Sequence, residues 1–286
     1  MRKLQVRPGD RDTIPKAAAG RKAPLRQLGV MDLGIRGRTA LVTGASSGIG
    51  EAVALALAAE GVRLAVAARR IDRLEAVASK AMETGAAEAR AFSIDLEDES
   101  AIESALVRIR ETFGRIDILV LNGGGPKAGR FSEMSLDDWD AAYRIVLRSM
   151  LTLVAGCAGA MRAQGWGRIV ALTSTSVKQP IDTLVLSNAF RTALVGALHT
   201  LANEVAADGV TVNCIATGRV DTERLRSLYG EDERELQKAA AEIPIRRIAP
   251  PEEFAPLVAF LCSERASYVT AQTISVDGGL TRGLFG

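Results

Sequence analysis

The chain has 286 residues, 48% of them apolar and 24% charged, which is the make-up of a globular protein with a full-sized core and bounds it to one large domain or two small ones. Aromatic residues reach only 4%, there is a single histidine (His199), and the three cysteines Cys157, Cys214 and Cys262 stand far apart in apolar segments. Base-stacking surfaces, transition-metal sites and disulfide frameworks are therefore excluded as organising features, and the thiols read as buried and reduced, as in a cytoplasmic protein.

Residues 1–30 carry eight Lys/Arg against Asp10 and Asp12, together with Pro8, Pro15 and Pro24, and show no apolar period. A disordered basic extension is expected there. Removing it from the totals leaves 28 basic and 32 acidic residues, so the remaining body is slightly acidic. An organelle transit peptide, a basic arm for nucleic acid and a translation start at Met31 are the three readings of this segment. The first lacks serine and the second lacks aromatic partners.

From Arg38 onward, short β-branched runs alternate with longer helical stretches. Strands are expected at 39–43, 63–67, 89–94, 116–121, 168–172, 211–215 and 273–276, mostly apolar throughout, as in strands covered on both faces. Helical spacing occupies 51–60, 71–83, 99–112 and 189–207. The apolar stretch 150–161 is interrupted by Gly156 and Gly159 and reads as a buried helix, since a membrane span needs roughly 18 apolar residues. Strand and helix in alternation predict an α/β fold, a doubly wound parallel sheet of seven strands with helices on both faces in a single domain over 31–286. Its ligand crevice belongs at the carboxyl ends of the strands.

At the end of the first strand stands Thr43-Gly44-Ala45-Ser46-Ser47-Gly48-Ile49-Gly50, which opens the first helix. A tight turn at Gly44, a bare backbone at Gly48 and the free N–H groups of a helix start together suit a pyrophosphate. The second strand ends at Ala68-Arg69-Arg70, where an acidic residue would hold the ribose hydroxyls of NAD(H). A small residue followed by guanidinium groups suits a 2′-phosphate instead, so NADP(H) is the expected cofactor and NAD(H) the lesser candidate. No metal is expected.

The octapeptide resembles the TGxxxGxG signature of the short-chain dehydrogenase/reductase family. The resemblance continues through Asp95-Leu96, Asn122-Gly123-Gly124, Gly167-Arg168-Ile169-Val170 with Ser174, Val212-Asn213 with Gly218 and Thr222, and Val276-Asp277-Gly278-Gly279. It implies that Ser46, Ser47 and Ile49 belong to the cofactor loop, that Asp95 and Leu96 meet the adenine, and that Asn122, Gly123 and Gly124 line the ribose side. Gly218, Val220 and Thr222 would meet the nicotinamide end.

In that family a tyrosine donates the proton, a lysine four residues later tunes it and binds ribose, a serine polarises the carbonyl and an asparagine supports a water. Counting from Ser174, the tyrosine position is Ser187 and the lysine position Arg191; counting on from Trp139 in the earlier helix, the asparagine position is Val146. An aliphatic hydroxyl is a far weaker acid than a phenol, and a guanidinium stays charged but can still bind ribose and stabilise negative charge. The expected catalytic set is Ser174, Ser187 and Arg191, with Lys178 and Tyr143 as neighbours that could compensate. The chain is similar to the branch resembling 3-oxoacyl-[acyl-carrier-protein] reductases that has an incomplete tetrad and a Ser-Asn-x-x-Arg segment. An NADP(H)-dependent reductase of a small carbonyl compound, or dehydrogenase of the alcohol, is implied. The alternative is a non-catalytic NADP(H) sensor or assembly subunit. The family also implies a homodimer or homotetramer, a substrate lid somewhere in 223–250, and no nucleic-acid or membrane partner.

Overall fold

The computed structural model describes residues 31–230 and 232–284; the expectations for residues 1–30 lie outside the described residues. Seven parallel strands form one sheet in the order β3-β2-β1-β4-β5-β6-β7, with β1 at Thr39–Thr43, β2 at Arg63–Ala68, β3 at Glu88–Ser93, β4 at Ile118–Leu121, β5 at Gly167–Leu172, β6 at Val210–Thr217 and β7 at Thr273–Val276. Strands β1, β4 and β5 are buried along their whole length, which is why they read as unbroken apolar runs. The edge strands differ. Every third residue of β3 is exposed and β7 is only half-covered, because each has a neighbour on one side alone.

Helices α1 (Gly48–Ala59) and α2 (Ile71–Thr84) cover one face of the sheet together with a late helix, Ala255–Leu261. Helix α3 (Glu99–Phe113) covers the other face with the helices Ser149–Ala163 and Val185–Val205. The start of α3 is set locally: Asp98 accepts hydrogen bonds from the backbone N–H groups of Ser100 and Ala101 at 2.9 and 3.2 Å. Ile102, Leu106 and Ile109 then fall on one face and are buried, each contributing about 1.5–3 kcal/mol.

Between β4 and β5 the chain forms α4 (Leu136–Ala142), a π-helical turn Tyr143–Arg148, and α5 (Ser149–Ala163). Among the described residues, the continuous stretch Leu136–Ala163 is the one helix long and apolar enough to cross a membrane, which the interrupted apolar run did not suggest. The fold uses its apolar side, Leu153, Val154, Cys157 and Met161, as sheet packing. The helix after β5 is α6 (Val185–Val205), four residues earlier at its start than its apolar spacing indicates, so Ser187 is helical. Helices α7 (Glu223–Leu228) and α8 (Glu233–Glu242) follow β6, and α9 (Ala255–Leu261) precedes β7.

Opposite the strand ends that carry the ligand motifs, the sheet is pinned by buried charge. Asp117 accepts a 2.8 Å bond from the Thr39 N–H and pairs with Arg115 at 3.0 Å. Arg168, almost wholly buried, donates to the carbonyls of Ser263, Gly167 and Gly209, and with Arg38 it brackets the Trp166 ring at 4.4 and 3.9 Å. This explains an arginine inside a core strand: every face of its guanidinium meets an oxygen or a ring.

Candidate active site

The carboxyl ends of β1, β2, β4, β5 and β6 open into one cleft of about 560 Å³. Of the residues expected to bind the cofactor or to catalyse, Gly50 alone is not on its wall. Gly50 packs underneath. A methyl group there would lie 2.2 Å from the Gly44 carbonyl oxygen and 2.7 Å from the Asn122 amide nitrogen. Gly44 and Gly48 both take φ near +59°, a left-handed conformation that suits glycine. A methyl on Gly48 would meet the Thr222 methyl at 3.0 Å, so the loop and the start of α7 touch.

The loop is held from behind. The Thr43 hydroxyl donates to the Asn122 carbonyl at 2.7 Å and accepts the Asn122 N–H at 2.9 Å, while the Asn122 side chain donates to the Gly44 carbonyl at 3.2 Å. Asn122 thus fixes the loop as well as lining the cleft. No side chain caps the first turn of α1, so its leading N–H groups face the cleft with the positive end of the helix dipole.

At the second strand the two arginines divide. Arg69 turns outward and stands 4.0 Å from Glu97. Arg70 turns to the loop, donating to the hydroxyls of Ser46 and Ser47 at 3.1 and 3.0 Å, and its other terminal nitrogen meets Glu223 at 3.2 Å. Arg73 also binds Glu223, at 2.7 Å. These two arginines, Arg73 foremost, hold the Glu223 carboxyl below the usual range. One guanidinium with two hydroxyls at its tip forms a donor cluster of the size and charge that a phosphate monoester needs. With the bare glycine backbone and the uncapped helix start, the residues present fit NADP(H).

Asp95 sits exposed at the cleft rim and accepts a turn hydrogen bond from the Glu97 N–H at 3.0 Å. Leu96, Gly123 and Gly124 line the same wall, with Gly218, Val220 and Thr222 across from them. At the far end, Ser174, Ser187 and Arg191 come together on the cleft wall. The Ser174 hydroxyl accepts the Ser176 N–H at 3.1 Å and caps a short 3₁₀ turn, Thr175–Val177. Ser187 is buried, with its hydroxyl 3.4 Å from that of Ser176. Arg191, one turn along α6, donates to the Leu172 carbonyl at 3.1 Å, and its Nε has no partner. Burial and, secondarily, the charge of Arg224 pull it down to about 10, so it remains a cation through the neutral range.

Three expected neighbours do not join this group. Val146 is buried in the π-helical turn and Ile145 faces the cleft in its place. Tyr143 is part-exposed and packs at 6.2 Å from Phe190, and Lys178 lies off the cleft wall. The structure adds two residues that the sequence did not single out, Ser176 behind Ser187 and Arg224 of α7, which lies against Gly125 and Pro126; Leu225 and Leu228 of the expected lid segment also line the cleft. The one sequence signal for Arg224 is a charged amphipathic segment after Thr222, which does not tell which charges turn inward.

The family model described as enoyl-(acyl carrier protein) reductase matches residues 44–281. The 3-oxoacyl-[acyl-carrier-protein] reductase FabG of Aquifex aeolicus is 34% identical over 250 residues, covering 87% of this chain and 100% of that protein. Among solved structures, the L-sorbose reductase of Gluconobacter frateurii, complexed with NADPH and L-sorbose, superposes with a TM-score of 0.84 at 34% identity over 89% of this chain and 100% of its own. The 3-oxoacyl (acyl-carrier-protein) reductase of Agrobacterium tumefaciens with NADP bound gives a TM-score of 0.81 at 29% identity over 86% and 95%. Sheet order, glycine loop and these likenesses agree: the chain belongs to the short-chain dehydrogenase/reductase family, on its 3-oxoacyl-[acyl-carrier-protein] reductase-like side, and is an oxidoreductase of that type.

Proposed function

We propose that this protein is an NADP(H)-dependent oxidoreductase that reduces a small carbonyl compound, or oxidises the matching alcohol, with a serine–arginine site in place of the family's tyrosine and lysine. The observation that carries the reading is that one cleft joins the Ser46, Ser47 and Arg70 donor cluster to Ser174, Ser187 and Arg191. When bound, the nicotinamide supplies or accepts the hydride.

Arg70 with the two serines holds the 2′-phosphate, supported by Arg69 at the rim. Gly44, Gly48, Ile49 and the first turn of α1 receive the pyrophosphate. Asp95 and Leu96 receive the adenine, Asn122, Gly123 and Gly124 the ribose side, and Gly218, Val220 and Thr222 the nicotinamide end. At the reacting end the Ser174 hydroxyl donates to the substrate oxygen. Arg191 binds ribose hydroxyls and places a fixed positive charge near the oxygen on which negative charge develops. In reduction, cleft water gives the alkoxide its proton, directly or through the Ser187 hydroxyl, which that water re-protonates; in oxidation the proton leaves to water by the same route. Neither is an acid of tyrosine's strength, so charge stabilisation by Arg191 carries more of the barrier than in a tyrosine-based site. The chain works as a homodimer or homotetramer in this reading.

A second reading, a non-catalytic NADP(H) sensor or assembly subunit, is favoured by the burial of Ser187 and the engagement of its hydroxyl with Ser176. Fluorescence titration with NADPH, followed by its oxidation with 3-oxoacyl thioesters and small ketones, separates the two. Turnover that Arg191→Met reduces at least a hundredfold supports the enzyme, on the scale of lost charge stabilisation. Tight binding with no turnover over a broad panel supports the sensor. Absence of NADPH binding refutes both.

A further inference from the structure

Charge is unevenly distributed along the cleft. Its acidic lining residues, Asp95, Glu97 and Glu223, all belong to the adenosine half, and Glu223 is already matched by Arg70 and Arg73. The opposite half, walled by Ile145, Leu184, Leu225 and Leu228, contains two charges, Arg191 and Arg224, and both are positive. Neither forms an ion pair among the described residues. Arg191 has its Nε buried without a partner. Arg224 reaches from α7 across the cleft mouth, lies against Gly125 and donates to the Pro126 carbonyl at 2.7 Å. Burial draws both guanidinium groups below the usual arginine range, and Arg191 also feels the charge of Arg224.

Two guanidinium groups that line one part of the cleft, with no carboxylate paired to either among the described residues, make that part complementary to an anion. Resting on the oxidoreductase reading above, we infer that the substrate is a carbonyl compound bearing a carboxylate, an oxo acid, held by Arg224 at the cleft mouth with Arg191 behind it. Helix α7 then has a direct task. Arg224 ties α7 to the loop after β4, and a bound carboxylate adds a tie from α7 to Arg191 of α6. The apolar residues beside it, Leu225 and Leu228, cover the carbon chain.

The test uses calorimetric titration of the full chain, alone and saturated with NADP⁺, with hexanoate and with hexanamide as its neutral isostere. Hexanoate is expected to bind about tenfold tighter than hexanamide in both states, the low end for a charge-assisted hydrogen bond because Arg224 is half-exposed. Arg224→Gln removes that preference, Arg224→Lys keeps part of it, and Arg226→Gln, which deletes a charge outside the cleft, leaves it unchanged. Equal binding of acid and amide overturns the inference, as does a preference that survives Arg224→Gln. It is also overturned if NADP⁺ abolishes hexanoate binding and Arg224→Gln weakens NADP⁺, because Arg224 then serves the cofactor's pyrophosphate. These outcomes are read without turnover, so failure of the oxidoreductase reading stays distinct from failure of this one.

Discussion

Gly50→Ala sets two physical effects against each other at one atom. Gly50 is the third residue of α1, where alanine is favoured over glycine by about 1 kcal/mol on helix propensity. Against this, the added methyl falls 2.2 Å from the Gly44 carbonyl oxygen, where contacts below 3.0 Å are not tolerated. The carbonyl must therefore retreat by about 1 Å, and the overpacking costs about 1–3 kcal/mol. The same movement stretches the 3.2 Å bond from the Asn122 side chain to Gly44, worth about another 1 kcal/mol. The steric cost wins. A net loss of about 1–3 kcal/mol corresponds to a fall in Tm of roughly 3–10 °C for a domain of this size. Displacing the phosphate loop by that distance also weakens NADPH at least about tenfold, since ångström-scale misplacement of positioning groups costs about a hundredfold. Thermal melts and fluorescence titration on the same samples measure both. Gly37→Ala serves as the control, because its methyl meets nothing within 4 Å and only the positive φ of 75° is strained. A Gly50→Ala protein as stable as the parent, with unchanged NADPH affinity, would refute the reasoning, for propensity would then outweigh packing.

Two more predictions rest on charge and burial. Burial pushes the thiols of Cys157, Cys214 and Cys262 up to about 12, so the thiolate fraction at pH 8 is on the order of one in ten thousand. None should react with a disulfide reagent in the native protein within minutes, and all three should react in guanidinium; stoichiometric native labelling would contradict the buried placement. Glu223→Gln frees Arg70 from its ion pair and removes a negative charge beside the donor cluster. NADPH should bind several-fold tighter and NADH no differently, whereas an equal change for both cofactors would place the 2′-phosphate away from Arg70. The effect of the wild-type carboxylate should fade on acidification, because Glu223 titrates below the usual range and loses its hold on Arg73 and Arg70 as pH falls through that value.

Strand runs, the starts of α2 and α3 and the glycine loop were readable in the sequence because each is set by neighbours a few residues away. The unbroken apolar runs of β1, β4 and β5, the Asp98 cap of α3, and Gly44 and Gly48 followed by a helix are local facts, and the parallel sheet follows from their alternation. The expectation that Ser187 and Arg191 stand at the family's tyrosine and lysine positions also came from counting along the chain. What counting could not supply is which way a side chain turns and what it meets from a distant segment. Arg69 and Arg70 are adjacent in sequence, yet the backbone turn after β2 sends only Arg70 to the Ser46 and Ser47 hydroxyls. Gly50 belongs to the motif but packs against the Gly44 carbonyl and the Asn122 side chain beneath it rather than lining the cleft. Arg224 lies 33 residues beyond Arg191, and only the folding of α7 over the loop after β4 brings its charge into the same recess. Sequence by itself determined the scaffold and pointed to Ser187 and Arg191 as the candidate catalytic pair; tertiary packing decided the electrostatics of the cleft around them, since fields add over space and not along the chain.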